Sequence, residues 1–591
     1  MTIDGKGKTH NTVDLSTTMR THTCGELRGN QKDTKVTLVG WVNRKRDHGG
    51  LSFFDLRDRY GITQIVIHPE QKDATGTGFH IKPEYVVSVT GTVRQRPNNM
   101  FNPDMHTGEI EVYADEIKIL NPSSTPPFVI EEKVKASEEL RLKYRFLDLR
   151  RRKMLNHFIT RHLVIQSIRE FLGKRKFLEI ETPILAKSTP EGARDFLVPS
   201  RLEKGKFYAL AQSPQIYKQI LMVAGFDRYY QFAKCLRDED LRGNRQPEHT
   251  QIDIEMSFVN EEDIFALTEK MMKKLFSDLL EIEIEIPFER INFSESMEKY
   301  GSDKPDMRIP LEISDFTKVA KQGNFKVFLD SDCVKGIKLK QSFSRKQIKE
   351  LEEFVRKLGA PGLLWLSKEE DYKGPFVKHF EKPQLFELSS GETLFIVAGD
   401  KEAVLTILGE LRNELGRKFI NGDNFKFLWV TNFPLFEWNE DEKTWQPSHH
   451  IFTMPLAEDM EKLTQEPGEA RGRQYDLVIN GTEIASGSIR NHNAKLQRKL
   501  FRILGLNDEE IDNRFGFLLN ALDYGAPPHG GIAPGIDRLC MILEGLDNIR
   551  DVIAFPKTLT GKGLFEGTPS EVEKEQLDEL GIILKKNEEK S

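Results

Sequence analysis

The sequence predicts a multidomain chain: a small antiparallel β-barrel, then an α+β domain with an antiparallel sheet, split in two by an inserted α+β domain. Three observations predict it. With 591 residues, the chain is too long for one hydrophobic core at roughly 100–200 residues per domain. Residues 20–120 are short β-branched runs separated by turn residues. Beyond residue 150 apolar residues recur at helical spacing, and that texture is interrupted by about 110 residues of mixed α and β pattern.

Composition narrows the class. Apolar residues make up 38% and charged residues 30%, which excludes collagen, coiled coil and wholesale disorder. The formal net charge of −6 means that contact with a nucleic acid must come from a local basic surface. Cys24, Cys235, Cys333 and Cys540 are far apart, without a C-x-x-C pair, so buried thiols are expected rather than zinc or a redox centre. No run of about 18 apolar residues occurs, and the polar first twenty residues lack the apolar core of a signal peptide. A cytosolic protein with no membrane contact is expected.

The expected order is a polar tail (1–18), a barrel (19–120), a linker (121–150), the first part of the split domain (151–294), the insertion (295–424), its second part (425–560) and a C-terminal extension (561–591). The barrel rests on five runs, VTLVGWV, LSFFDLRD, ITQIVI, EYVVSVTGTV and EIEVYADEIKIL, whose spacing suits an OB-type fold. NPSSTPPF (121–128) carries three prolines and reads as the linker. The split domain opens with HFITRHLVIQSIREFLGKRKF, where Phe158, Leu163, Ile165, Ile168 and Leu172 mark a helix. FKFLWVTNFPLFEW (425–438) resumes strand character after the insertion.

Residues 19–60 hold nine Lys or Arg against five Asp or Glu, so the barrel is locally basic. Arg44, Lys45 and Arg46 follow a strand, with Phe53, Phe54 and Tyr60 interleaved. Cations for phosphates and aromatic planes for unstacked bases are what single-stranded RNA requires. A solvated strand end with core aromatics is the alternative. A second basic stretch, Arg141 to Lys153, could lie along a polyanion or be a solvated helix face.

Three segments carry the chemistry: FLEIETPILAKSTPEGARDFLV (177–198), read as a helix and a strand; KCLRDEDLRGNRQPEHTQIDIEMSF (234–258), two strands around a charged loop; and GGIAPGIDRLCMIL (530–543), a strand running into a helix. In order, and with QSPQIYKQ (212–219) and KYGSDKPDMRI (299–309), they resemble the signature motifs of class II aminoacyl-tRNA synthetases, and their wording is similar to that of the bacterial-type aspartyl-tRNA synthetases along nearly the whole chain. The resemblance implies a class II antiparallel catalytic sheet, a GAD-type insertion, and a homodimer built partly on the first motif. The partners implied are ATP, L-aspartate and tRNA(Asp).

Such an enzyme drives a carboxylate onto the α-phosphorus of ATP, so its site must hold two anions together and spread phosphate charge. By resemblance, Arg237 bridges the amino-acid carboxylate and the α-phosphate, Glu239 meets the adenine amino group, and Arg538 clamps the far phosphates. Asp238, Gln246, His249, Gly535, Ile536 and Asp537 complete the ATP site. Asp476 and Glu483, flanking the turn in YDLVINGTEIASGS, resemble Mg²⁺ ligands, as hard carboxylate oxygens suit that ion. Glu483 also belongs to the ATP set. Seven residues apart, the two carboxylates meet on one face only through the NGT turn.

Aspartate differs from asparagine by charge, so fixed cations, left unpaired against an amide, would select it. Lys218 and Arg490 resemble that pair. Gln215, Asp253 and Gln246 resemble the groups around the substrate's two ends, with Glu191 on a closing loop and His449 of PSHHIFTMP as a substrate sensor. His450 beside it is the weaker candidate. His249 stands where relatives carry a phenylalanine that stacks on adenine, and Ala485-Ser486 where they are glycine-rich.

In the barrel, Phe53 resembles the residue that stacks on an anticodon base, and Arg46 and Gln64 those that read base edges. His48 resembles the relaxed type that also charges tRNA(Asn), whereas Asn99 replaces the glycine that accompanies it. Two rivals share parts of this pattern: an asparagine- or lysine-type class II enzyme, and a synthetase-derived RNA-binding protein without catalysis.

Overall fold

The computed structural model describes residues 14–48, 51–68, 81–189, 194–241, 243–420, 422 and 424–585. The chain divides into two compact units: residues 1–158 with 554–556 and 563–568, and residues 159–553 with 557–562 and 569–591. The insertion therefore shares a unit with the split domain.

In the first unit, β1 (Lys35–His48), β2 (Leu51–Arg57), β3 (Ile62–Ile67), β4 (Val86–Gln95) and β5 (Ile110–Asn121) close a barrel in the order β1-β2-β3-β5-β4. Alternation puts Leu38, Val42, Phe54, Leu56, Ile65 and Val89 inside, each fully buried, as period-2 patterning requires. Arg44, Lys45 and Arg46 lie within β1 rather than after a strand. A bulge between Val42 and Arg44 lets β1 bend and go on pairing, Arg44 with Asp55 and Arg46 with Phe53.

The basic stretch at 141–153 is only partly solvated: Arg145 and Arg151 are buried, whereas Lys143, Arg152 and Lys153 are exposed. Three of its arginines converge on Asp148, which is 0% exposed: Arg145 Nη1 at 2.8 Å, Arg151 Nη1 at 2.7 Å and Arg141 Nη1 at 3.3 Å. Arg150 instead pairs with Glu84 at 2.7 Å. A buried carboxylate needs such partners, since an unpaired one costs several kcal/mol.

In the second unit, residues 159–173 of the helix Arg152–Gly173 send Val164, Ile168, Phe171 and Leu172 into the largest core. The first motif departs from the expected helix and strand. It holds β6 (Leu178–Glu179), β7 (Leu185–Ala186) and β8 (Leu197–Pro199), and β9 (Phe207–Leu210) completes a small sheet in the order β7-β9-β8. Pro183 has no amide hydrogen to extend a ladder. β10 (Arg228–Leu236), β11 (Glu248–Ser257) and β12 (Glu289–Asn292) precede the insertion, whose strands are β13 (Ile313–Asp315), β14 (Cys333–Leu339), β15 (Leu364–Lys368), β16 (Tyr372–Lys373) and β17 (Glu392–Gly399). These form an antiparallel sheet, β13-β14-β17-β15-β16.

The chain returns through β18 (Phe427–Thr431), a hairpin of β19 (Phe436–Asn439) and β20 (Thr444–Pro447), then β21 (Gln474–Ile479), β22 (Thr482–Ile489) and β23 (His529–Pro534). The central sheet runs β12-β18-β21-β22-β23-β11-β10-β6, antiparallel except at its two outer pairs. Within the insertion, the helix Lys401–Gly416 is fixed against the segment that opens it. Arg412, 1% exposed, donates to the carbonyls of Leu311, Asp306 and Ile309 at 2.6–3.0 Å. Gly301 and Gly409 pack backbone on backbone, and a Cβ on Gly409 would lie 2.3 Å from the Gly301 carbonyl oxygen.

All four cysteines are buried and free. Among the described residues no helix is long and apolar enough to cross a membrane. The C-terminal segment carries a helix, Lys574–Leu580.

Candidate active site

One face of the central sheet opens into a cavity of about 500 Å³. Its wall brings together Gln215, Lys218, Arg237, Glu239, Gln246, His249, Asp253, His449, Asp476, Glu483, Arg490, Gly535, Asp537 and Arg538. His249 and Asp253 come from β11, Asp476 from β21 and Glu483 from β22. The rest come from the helices Gln215–Val223 and Ile536–Leu543 or from segments outside the strands: Arg237, Glu239 and Gln246 between β10 and β11, His449 after β20, Arg490 just past β22 and Gly535 just past β23. Ile536 is not among them: it is fully buried in the core beneath. Asp238 stays exposed, paired loosely with Arg194 at 3.9 Å. Glu191 lies outside the described residues.

Arg237 has a buried Nε with no hydrogen-bond partner, while its backbone nitrogen is fixed on the Pro247 carbonyl at 2.8 Å. A guanidinium so placed is held for an anion. Glu239 pairs with Arg245 at 3.1 Å. His249 opposes Cys235 across β10 and β11. Burial, and the charges of Arg237, Arg538 and Lys234, pull it down to about 3, so it presents a neutral, stackable ring.

Two predicted ATP contacts are committed to the protein. Gln246 spends both ends of its amide on the Lys557 backbone, at 3.0 and 2.8 Å. Asp537 takes Arg161 at 2.5 Å and the Thr250 amide at 2.9 Å. Both therefore frame the cavity from behind, and their partners, more than 280 residues away in sequence, are invisible to motif reading.

Asp476 and Glu483 converge as the turn requires. Asn480 (φ +52°) and Gly481 (φ +78°) form the two-residue link between β21 and β22, which glycine and asparagine tolerate best. Val478 then pairs with Glu483, placing Glu483 on the face of Asp476. Ile484 is an extra residue in β22, because Leu477 pairs with Ala485. This bulge turns Ile484 and Ala485 to the core and returns Ser486 to the cavity face.

Burial first, then the Glu483 charge, raises the Asp476 carboxyl to about 8. Arg538 anchors Glu483, with Nη1 3.4 Å from its Oε1 and 2.8 Å from its carbonyl oxygen. Among the described residues no three His, Cys, Asp or Glu side chains are grouped to hold a metal by themselves.

Next to this lies a buried cluster of four charges. Lys218 Nζ contacts Asp253 at 2.5 Å and Glu255 at 3.4 Å, and Arg490 binds Glu255 with two parallel bonds of 3.0 and 3.1 Å. Both cations are compensated within the protein: burying them unpaired would cost several kcal/mol each, and Asp253 and Glu255 offset them. Glu255 escaped the sequence reading because nothing but strand alternation marks it. Burial pushes its carboxyl up, but Arg490 and Lys218 outweigh that and hold it below its ordinary value.

His450 Nε2 lies 2.6 Å from Arg490 Nη1, which makes it a buttress of the arginine. His449 faces the cavity instead. Burial and the charges of Arg490, Arg237 and Lys218 bring it down to about 3.

The chain matches two known family patterns. The model for tRNA synthetases class II (D, K and N) matches residues 137–559, and that for an OB-fold nucleic acid binding domain matches residues 36–120. The chain belongs to the class II aminoacyl-tRNA synthetases. Within them it is similar to the Aspartate--tRNA(Asp/Asn) ligase of Thermoanaerobacter sp. (strain X514), 50% identical over 95% of this chain and 98% of that one. The protein of the same name from Desulfatibacillum aliphaticivorans is 48% identical over 97% and 99%.

Solved structures share the fold at low identity. The asparaginyl-tRNA synthetase from Pyrococcus horikoshii complexed with asparaginyl-adenylate aligns with a TM-score of 0.58 at 18% identity, covering 91% of this chain and 98% of that one. The aspartyl tRNA synthetase from Entamoeba histolytica gives 0.55 at 20%, with 89% of each chain covered. The synthetase is an aminoacyl-tRNA ligase of the aspartate type, and the non-catalytic rival is set aside with the asparagine and lysine types.

In the synthetase's barrel, Phe54 is core at 0% exposure and Phe53 lies on the opposite, outer face. Arg46 Nη2 donates to Asp55 at 3.2 Å and to Gln64 Oε1 at 3.4 Å, and Gln64 Nε2 donates to Glu111 at 2.9 Å. Arg96 joins this row with a buried Nη2 that has no partner. Asp55, Arg96 and Glu111 were missed because long-range strand pairing assembles the row. Asn99 is exposed in a short helical turn, Asn98–Met100. The His48 side chain lies outside the described ones.

Proposed function

We infer that the protein activates L-aspartate with ATP, releasing pyrophosphate, and transfers the aspartyl group to the 3′ end of both tRNA(Asp) and tRNA(Asn). The single observation that carries the reading is the adjacency, in one cavity, of an arginine with an unpartnered nitrogen and a compensated Lys218–Asp253–Glu255–Arg490 cluster. Arg237 would draw the amino-acid carboxylate and the α-phosphate together, since a planar fork serves two anions. Lys218 and Arg490, held rigid by their carboxylates, retain donor hydrogens for the substrate's side-chain carboxylate. An amide would offer them an N–H where an acceptor is needed. His249 would lie flat on the adenine.

The donor chemistry of Asp476 and Glu483 fits Mg²⁺, because two hard carboxylates crowded enough to raise one of them to about 8 want a cation between them. Bound there with phosphate and water as its other ligands, the ion would offset the charge that develops on the phosphates.

A homodimer is favoured by the apolar residues left exposed by the first motif, Leu178, Ile184, Leu185 and Leu197, and by Phe207 of the adjoining β9, each 50% exposed or more. The relatives' names cite both tRNAs, and His48 and Asn99 are the positions we assign to that choice. Phe53, Arg46 and Gln64 would take the anticodon. Pyrophosphate exchange with aspartate against asparagine tests the activation step. Exchange driven by aspartate alone is expected, and exchange driven equally by asparagine would remove the assigned roles of Lys218 and Arg490.

A further inference from the structure

One hydroxyl in the cavity wall is not used by this chemistry. Ser486 Oγ donates to Asp476 Oδ1 at 2.5 Å and lies 3.2 Å from His449 Nε2. It pairs directly opposite Asp476 across β21 and β22, and the Ile484 bulge is what aims it into the cavity. Glycine here would have no such group.

The hydrogen bonds have a direction. With a cation at Asp476 its carboxylate is ionised and only accepts, and a serine hydroxyl has a single proton. While that proton goes to Asp476, the oxygen can only accept, so the proton between Ser486 and His449 must sit on His449 Nε2. No described protein group bonds His449 Nδ1, and the ring is braced at 4.7 Å by His450, the buttress of Arg490. Both hydrogen bonds to Asp476 fall on Oδ1, which leaves Oδ2 for a cation. Were Asp476 to hold a cation, the plane of its carboxylate would be fixed, and with it the direction in which Oδ1 receives the hydroxyl.

We propose that Ser486 is a positioning residue that couples the cation-binding carboxylate to the histidine at the amino-acid pocket: occupancy of Asp476 orders the hydroxyl, and the hydroxyl sets the ring orientation and tautomer of His449. The proposal rests on the aspartate and Mg²⁺ assignments above. Ordering done by one ligand need not be repeated by the other, so the two bind cooperatively.

Calorimetric titration of L-aspartate into the full-length protein, with and without saturating Mg²⁺, measures the coupling without turnover. The wild type is expected to bind aspartate at least about fivefold tighter with Mg²⁺. That ratio should collapse toward one in S486A and S486G, and S486T, which restores a hydroxyl, should recover it. Melting temperatures of the three variants report whether the fold is intact.

A wild-type ratio retained in both S486A and S486G overturns the proposal, as does a wild type whose aspartate affinity ignores Mg²⁺. Collapse of the ratio in S486T as well would assign it to altered packing and also count against the hydroxyl. A wild type that binds no aspartate under either condition overturns the functional reading itself, and the coupling with it.

Discussion

Arg237 differs from most of the protein's cationic side chains. The arginines around Asp148, and Arg490 with Arg538, have carboxylates of their own, whereas Arg237 keeps a buried nitrogen without a partner. Its removal should therefore act on the transition state rather than on the fold. Arg237→Ala is expected to lower aspartate-dependent pyrophosphate exchange by about 10²–10³-fold with an unchanged melting temperature. Exchange near wild type would remove Arg237 from the chemistry.

His249 makes a pH prediction. Its folded-state value of about 3 lies far below the ordinary histidine value near 6.5, so between these limits the unfolded chain binds a proton that the folded one refuses. Stability is then unaffected above about pH 6.5 and falls as pH drops below it. His249→Phe should flatten that acid decline in melting temperature between pH 7.5 and 5.5 while keeping ATP-dependent exchange, because a phenyl ring still stacks. An unaltered decline would show that His249 is solvated. These roles were legible in part. RDE and NGTE announce themselves by local sequence, but the capture of Gln246 by Lys557, and of Asp537 by Arg161, is written in partners far along the chain.

Secondary-structure elements show the same division. Strand–loop–strand around 234–258 and strand–helix at 530–543 follow from local alternation and glycine placement, and both stand where expected. The first motif does not, because its residues serve a small sheet with an exposed apolar face, and periodicity cannot announce a partner. Nor could the alternation EIEIEIPF, whose regular pairing begins only at Glu289, since a strand needs a neighbour as well as a pattern.

The packing inside the insertion offers an element-level test. A Cβ at Gly409 would meet the carbonyl oxygen of Gly301 at 2.3 Å, and backbone cannot yield as a side-chain tip can. Gly409→Ala should cost about 1–3 kcal/mol in denaturant unfolding. It should also lower pyrophosphate exchange, because Asp303, two residues after Gly301, lines the cavity. A variant as stable as wild type would show that the junction is looser than its geometry.

At the scale of the whole molecule, the chain places a nucleic-acid-type barrel in one compact unit and the activating chemistry in the other. Composition concealed this, since a net charge of −6 gives no hint of an RNA partner, and only the local surplus in residues 19–60 exposed it. At 141–153 the surplus is partly internal, because buried Asp148 takes up Arg141, Arg145 and Arg151.

Separate units predict separable functions. Phe53→Ala should weaken tRNA charging at least about tenfold, a base stack being worth about 1–3 kcal/mol, and leave pyrophosphate exchange within about twofold. Equal losses in both assays would refute the division of labour.

The most direct measurement is charging of purified tRNA(Asp) and tRNA(Asn) transcripts with labelled L-aspartate by the full-length protein, with ATP and Mg²⁺. The account predicts that both transcripts are aspartylated. Charging of tRNA(Asp) alone would contradict the dual specificity assigned to His48 and Asn99, and charging of neither would contradict the account at its centre.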